Sequence, residues 1–333
     1  MLKEHLKFLI CPTCKEGLII KNIEKGTSVS IEAGVLLCNV CKGEYKIVRS
    51  IPRFVTGENY ASGFGFEWTK HAKTQYDSYS GTNISELRFF NETKWPRKLK
   101  GEIILEVGSG SGRFTEQAAS TDAMVVSMDY SYAVEANYNS NGNKSNVLIV
   151  QADIYNMPFI ENCFDKIFCF GVLQHTPNVE RAFLNLPLFL KPQGSLVIDV
   201  YSKAKGIKSL FCLRYSIIRL LTKRIAPEKL YSLCKIYINL FWPILKFTDR
   251  VPLLKNILRR LLLISNYRGI FNLSDKILKE WALLDTFDLL SSVYNYPQTL
   301  GTVKGWFEKS KMVNIEVNFC YNGIVGRGQK PIK

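Results

Sequence analysis

The chain has no long apolar run. Its longest uncharged apolar stretch, 236–245, is ten residues and is interrupted by Asn239 and Pro243. About 20 residues are needed to span a bilayer, so an integral membrane protein is not expected. Nor does MLKEHLKFLIC at the start read as an export signal ending at a lipidated cysteine, because Glu4, His5 and Lys7 leave no apolar centre. Histidine is scarce, at three residues. Acidic residues are scarce in one place: 203–268 holds 15 Lys/Arg against 2 acids, whereas the rest holds 29 against 27. A nearly neutral protein with one strongly basic segment suggests a polyanionic partner such as anionic lipid, nucleic acid or a phosphorylated carrier. At 333 residues and 47% hydrophobic, the chain is too long for one small domain and too apolar to be mainly disordered.

Nine cysteines divide into two groups. Cys163, Cys169, Cys212, Cys234 and Cys320 are scattered and read as reduced core thiols. With no leader expected, a reducing cytoplasm follows. Cys11-Pro-Thr-Cys14 and Cys38-Asn-Val-Cys41 form two C-x2-C knuckles 23 residues apart. Two such knuckles close a tetrahedral, four-thiolate Zn2+ site with no open position, so this zinc is expected to be structural. Paired disulfides or a redox motif are the competing reading. Between the knuckles, 18–20, 28–31 and 35–37 read as short strands.

The apolar segment 103–107 runs into Gly108-Ser109-Gly110-Ser111-Gly112 and then a helix expected over 113–119. Strand, glycine turn and helix is the opening of a doubly wound sheet. Further strands are expected over 125–128, 147–151, 164–170 and 195–200. Each ends in polar residues (Asp129, Asp153, Gln174-His175, Asp199) at the strand C-termini, where open α/β sheets bind ligands. Asp129 is placed to accept ribose hydroxyls, and Asp153 an adenine amine.

These pieces (EVGSGSG at 106–112, MD at 128–129, ADIYNMPF at 152–159, FDKIFCFGVLQHTPN at 164–178 and LKPQGSLVI at 190–198) closely resemble class I S-adenosylmethionine-dependent methyltransferases of type 11. The resemblance implies a seven-stranded Rossmann-like sheet and S-adenosylmethionine as cofactor. It places Glu106, Gly108, Ser109, Gly110 and Gly112 around the methionine part, Asp129 at the ribose, and Asp153 and Ile154 at the adenine, with Tyr130 also at the cofactor. A nicotinamide fingerprint would want glycine at the position held by Arg113. The CPTC ribbon is similar to the small zinc-ribbon activator subunits of some methyltransferases. Together with GFGFEW (63–68), TQYD (74–77) and LDTFD (284–288), the whole resembles a bacterial methyltransferase group whose members look like tailoring enzymes for envelope glycans, lipids or other secondary products.

Methyl transfer is an in-line displacement that mainly requires alignment and exclusion of water. A hydroxyl acceptor benefits from a general base, and His175 is the candidate; a capping or packing histidine is the alternative. Asp199, Tyr201, Tyr76 and Asp77 are weaker candidates. After the fifth strand about a hundred residues intervene before the helix expected over 302–309 and the hairpin 313–319/323–326. Within them 207–221, 227–240 and 252–265 are helical in pattern, with Lys/Arg interleaved. This insert reads as a lid over the substrate side, as an interfacial patch on an anionic membrane, or as an RNA surface. Its leucine content favours the first two.

The expected organisation is a zinc ribbon (1–57), a linker and helical arm (58–100), a methyltransferase core (101–202 and 286–333) and a basic insert (203–285). The expected protein is cytoplasmic, with peripheral contact at the inner membrane surface through the insert. Its expected activity is methylation of a small molecule or of a lipid- or carrier-linked glycan or natural-product intermediate. The alternatives are an rRNA base methyltransferase with an N-terminal zinc module, although the chain lacks an Asn/Asp-Pro-Pro-Tyr motif, and a cofactor-binding adaptor without turnover. The oligomeric state is not legible.

Overall fold

The computed structural model describes the chain except residues 56, 58, 205–206, 249–260 and 333 and the side chains of 207–212 and 248. The N-terminal unit is an antiparallel sheet of β1 (Leu18–Gly26), β2 (Ile31–Cys38), β3 (Glu44–Val48) and β4 (Ile51–Pro52). The segments 28–31 and 35–37, expected as separate strands, are not separate. The turn falls at 27–30, where Thr27 Oγ1 accepts from Ser30 N at 3.1 Å, and β2 then runs unbroken through Gly34. Gly34 sits at a bulge of β1, where a Cβ would press on the Asn22 carbonyl.

Three short helices follow: α1 (Ser62–Lys70), α2 (Asp77–Ser80) and α3 (Ile84–Thr93). Then comes the central sheet: β5 (Ile103–Val107), β6 (Met124–Asp129), β7 (Val147–Gln151), β8 (Phe164–Phe170), β9 (Leu190–Val200), β10 (Val313–Cys320) and β11 (Gly323–Gln329). Its order is β10-β11-β9-β8-β5-β6-β7; β5 to β9 are parallel, and β11 is antiparallel to both its neighbours. The parallel strands are apolar on both faces because both are covered. Ile104, Val125, Ile149 and Phe168 pack beneath α3, α4 (Arg113–Ala119) and α5 (Val134–Asn141). Their neighbours Leu105, Val126, Leu148 and Ile167 face the ribbon, α6 (Val179–Asn185) and the late helix α10 (Leu300–Lys309).

The ribbon shares that second core. Phe8, Leu9, Leu18, Ile31, Leu36 and Ile47 are buried in one cluster with the sheet. Its chain also pairs with the sheet: Phe54 N donates to Gln151 O at 2.8 Å along the free side of β7, and Ile10 N donates to Pro158 O at 2.9 Å. Arg53, ion-paired with Glu135, donates to Gln151 Oε1 at 2.9 Å.

The insert contains α7 (Ile207–Thr222) and α8 (Pro227–Thr248), packed on α9 (Asp275–Ser291). Most of the third helix expected there, 252–265, lies outside the described residues. The boundary expected at 285/286 falls inside α9. Leu278 and Ala282 of that helix pack on α8 residues Ile238, Trp242 and Leu245, and Phe287 and Leu290 pack with Leu230 and Cys234. One continuous helix therefore belongs to insert and core alike. Among the described residues no helix is long and apolar enough to cross a membrane.

Candidate active site

A cavity of about 390 Å³ opens at the C-terminal ends of β5, β6, β8 and β9, between the glycine turn and the insert. The turn has the sharp geometry its glycines permit. Gly108 (φ +81°) passes under Val172 and Gly112 (φ +92°) passes over Asn137, and a Cβ at either would collide with that side chain. The indole of Trp68, from α1, stands over Gly110 and lines the same cavity.

Of the residues expected at the cofactor, Gly108, Ser109, Gly110, Asp129, Tyr130 and Ile154 line the cavity, as does His175. Glu106, Gly112 and Asp153 do not line it. Glu106 is 1% exposed and accepts from Thr115 Oγ1 and, at 2.7 Å, from Ser127 Oγ. Asn137 Nδ2 donates to both hydroxyl oxygens at 3.0 Å, so a buried network props the turn from below. Asp129 Oδ2 accepts from Gly110 N at 2.8 Å; Oδ1 accepts from Ser131 N (2.8 Å) and Ser131 Oγ (2.7 Å). Asp153 accepts from Tyr155 N at 2.9 Å.

Burial pushes Glu106 up to about 7, against the hydrogen bonds from Thr115 and Ser127, which act to lower it. A carboxyl whose folded pKa lies above its unfolded value destabilises the fold as pH rises between the two. Stability is therefore expected to fall from about pH 4.5 to about pH 7, with Glu106 contributing on the order of 3 kcal/mol at most. Urea unfolding across that range should show a shallower slope in Glu106→Gln. An unchanged slope would mean that Glu106 stays ionised throughout.

His175 closes a 3-10 turn, Leu173–His175, after β8. Its Nδ1–H donates to the Tyr294 carbonyl at 2.9 Å, so in the neutral ring Nε2 carries the lone pair. The ring lies 5.0 Å from Phe64 and perpendicular to Tyr201 at 5.4 Å. Burial lowers its pKa and keeps it neutral.

Three of the four weaker candidates have structural partners instead. Asp199 is fully buried, ion-paired with Arg88, and accepts from Asn322 Nδ2 at 3.2 Å. Tyr76 donates to Ser111 O at 2.6 Å behind the turn, and Asp77 accepts from Ser85 N and Glu86 N at the start of α3. Tyr201 alone lines the cavity, and its hydroxyl donates to Asp288 at 3.3 Å.

Other lining residues were not expected: Glu67, Gln75, Arg113, Tyr267, Asp285 and Asp288. Several sit in the motifs GFGFEW, TQYD and LDTFD, but the last lies more than 200 residues from the first two and meets them only because α9 packs on α1.

At the N-terminal unit the Sγ atoms of Cys11, Cys14, Cys38 and Cys41 all lie within 4.8 Å of one another. They are unlinked thiols, with Cys11–Cys41 at 3.4 Å and Cys14–Cys38 at 3.3 Å. That spacing suits a metal ion at their centre.

The sheet order is that of a Rossmann-like methyltransferase, and residues 105–198 match the family model described as "Methyltransferase domain". This segment is a methyltransferase domain. Across it the chain is 29% identical to a demethylmenaquinone methyltransferase of Thermobifida fusca, over 105 residues that make up 31% of this chain and 44% of that one. It is likewise 29% identical to a ubiquinone biosynthesis O-methyltransferase of Coxiella burnetii over 107 residues, 32% of this chain and 46% of that one. The chain thus spans less than half the length of both relatives. Among solved structures, an O-methyltransferase family protein from Burkholderia thailandensis aligns with 77% of this chain and 59% of its own at 7% identity and a TM-score of 0.43. The methyltransferase domain thus occupies the centre of the chain, with the ribbon before it and the insert after β9.

Proposed function

We propose that the protein is an S-adenosylmethionine-dependent methyltransferase acting on a small molecule or on a lipid- or carrier-linked glycan or natural-product intermediate. One arrangement carries this reading: a single cavity is lined by the glycine turn and Asp129, by His175, and by insert residues such as Tyr267 and Trp281. S-adenosylmethionine would supply an electrophilic methyl group there. Gly108, Gly110 and Asp129 would hold it, Tyr130 and Ile154 would flank its adenosine, and Trp68 would cover it. His175 Nε2 is free of protein partners among the described residues and is oriented by Tyr294, so it can take the proton of a hydroxyl acceptor. His175→Ala is expected to lower kcat by about 100-fold or more, with S-adenosylhomocysteine affinity unchanged in calorimetry. A kcat loss that merely tracks a lower Tm would make His175 a packing residue.

In the same proposal Cys11, Cys14, Cys38 and Cys41 hold a structural Zn2+. The insert adds a membrane contact. On α8, Leu233, Ile236, Leu240, Ile244 and Phe247 are exposed at helical spacing, opposite the buried face of Leu230, Cys234, Ile238, Trp242 and Leu245. On α7, Leu213, Ile217, Leu220 and Leu221 are exposed as well. Lys223, Arg224, Lys229 and Lys235 are exposed among these residues. An apolar stripe flanked by cations suits the interface of an anionic bilayer, where each nearby Lys/Arg contributes about 1 kcal/mol.

The test is competition between phosphatidylglycerol-containing vesicles and structured rRNA at physiological salt. Vesicle binding that is lost in Leu233→Ser/Leu240→Ser/Phe247→Ser supports a lipid-linked acceptor. Preference for RNA would redirect the search to ribosomal bases, and binding to neither would leave the insert as a lid over a soluble acceptor.

A further inference from the structure

The insert end of the cavity is lined by hydrogen-bond acceptors that the protein does not satisfy. Glu67, on α1, is 1% exposed; its side chain accepts no hydrogen bond among the described residues, and its Oε2 is fully enclosed. Asp285 and Asp288, one helical turn apart on α9, face the same volume. Asp285 accepts from the Tyr267 hydroxyl and Asp288 from that of Tyr201, but Asp288 Oδ1 is enclosed without a partner. Gln75, on a different segment and 8% exposed, lines the same cavity with an enclosed, unpartnered Oε1.

Among the described residues no cationic nitrogen lies within ion-pair distance of these three carboxylates. The guanidiniums of Arg113 and Arg88 line the same cavity and act on Asp285 from beyond ion-pair distance, as Arg219 does on Asp288; Arg113 lies over the Phe114 ring at 4.4 Å, and Arg219 Nε donates to Leu289 O at 2.9 Å. Burial, and then the charges of Asp288 and Asp285, hold the Glu67 carboxyl well above its usual range. Enclosed carboxylates with no contacting cation and with unfilled acceptor sites are costly, and such a cluster persists where a charged donor completes it. A neutral hydroxyl would satisfy one lone pair and leave the repulsion. An ammonium brings three donors and a contacting positive charge, and the rings of Phe64, Tyr201 and Trp281 around the same cavity add a cation-attracting wall.

We infer that the methyl acceptor carries a protonated amino group, seated between Glu67, Asp285 and Asp288. This rests on reading the insert end of the cavity as the acceptor half, and it narrows the acceptor to amine-bearing molecules such as amino sugars or amino alcohols.

Calorimetry of the full chain with S-adenosylhomocysteine comes first and tests the methyltransferase reading alone. Paired fragments, glucosamine against glucose and ethanolamine against ethylene glycol, are then titrated with and without S-adenosylhomocysteine and followed by saturation-transfer NMR. The expected result is amine binding at least about tenfold stronger than that of the matched alcohol, abolished in Glu67→Gln/Asp288→Asn. S-adenosylhomocysteine affinity in that variant should stay within about twofold, and its Tm should be unchanged or higher, because buried unpaired charge has been removed.

Equal binding of amines and alcohols, or no binding of either, overturns the inference and leaves the methyltransferase reading intact. So does a loss of S-adenosylhomocysteine affinity in the variant, which would assign the carboxylates to the cofactor's own amino group. Failure of wild-type protein to bind S-adenosylhomocysteine sinks the methyltransferase reading instead; the amine preference is then judged on the titrations without it.

Discussion

Replacing Cys38 by serine is expected to unfold the whole chain earlier, not the ribbon alone. Cys38 is fully buried and its Sγ lies 3.3 Å from Cys14 Sγ, so the substitution removes one of the four thiolates proposed to hold the metal. A structural zinc contributes on the order of 10 to 16 kcal/mol of apparent binding energy in small zinc units, and losing one of four thiolates forfeits a large part of it. The ribbon's buried residues share one cluster with the second face of the methyltransferase sheet, so the loss is transmitted to β7 and α6. With about 5 kcal/mol lost, the single thermal transition should fall by roughly 7 °C. A chelator should mimic it in wild type, and metal analysis should give about one zinc per chain. Cys41 is exposed, so Cys41→Ser should be milder. An unchanged Tm in Cys38→Ser, with no metal recovered, would remove zinc from the proposal.

Asp129→Ala and Glu106→Ala are each expected to abolish measurable S-adenosylhomocysteine binding, for different reasons. Asp129 offers about four lone-pair sites, of which Gly110 N, Ser131 N and Ser131 Oγ use three. Accepting two ribose hydroxyls therefore requires the Gly110 N–H to let go of Oδ2, so alanine removes both the ligand contact and the latch on the turn. A loss of at least about 100-fold follows from two charge-assisted hydrogen bonds of 1.5–3 kcal/mol each. Asp129→Asn, which keeps one carbonyl acceptor, should lose about tenfold. Glu106 does not line the cavity and acts through Thr115 and Ser127, so Glu106→Gln should retain most of the affinity that Glu106→Ala loses. Tight binding in both alanine variants would sink the cofactor assignment.

The sheet was highly legible. Strands β5, β7 and β8 fall where they were expected, because parallel strands covered on both faces are mostly apolar and stand out as runs. The helix after the glycine turn was equally plain. The split of 28–31 from 35–37 did not hold, because Gly34 between them lies inside a strand, and a glycine inside a strand and one at its end look alike until the facing carbonyl is known. The α9 boundary was not legible either: a helix that is apolar toward both α8 and α1 carries no sign of where insert ends and core begins. For the site, residues at strand ends could be placed from topology alone. Glu67, Gln75, Asp285 and Asp288 could not, since their meeting depends on how α9 crosses α1. The role of Asp199 was likewise hidden until Arg88, 111 residues earlier, came to sit on it.

The pairing of Phe54 with Gln151 has a consequence for how this protein can be trimmed. Strand β7 ends the sheet on one side, and an open edge of that kind is a template on which another chain can add a strand. Residues 53 and 54 pair with the C-terminal end of that edge, and the ribbon stands alongside it. A fragment beginning after residue 57 would uncover the edge together with the apolar face that Phe8, Leu9 and Ile47 now occupy. Such a fragment should self-associate through its sheet rather than yield a monomeric minimal enzyme. The ribbon thus serves as a built-in stopper against polymerisation.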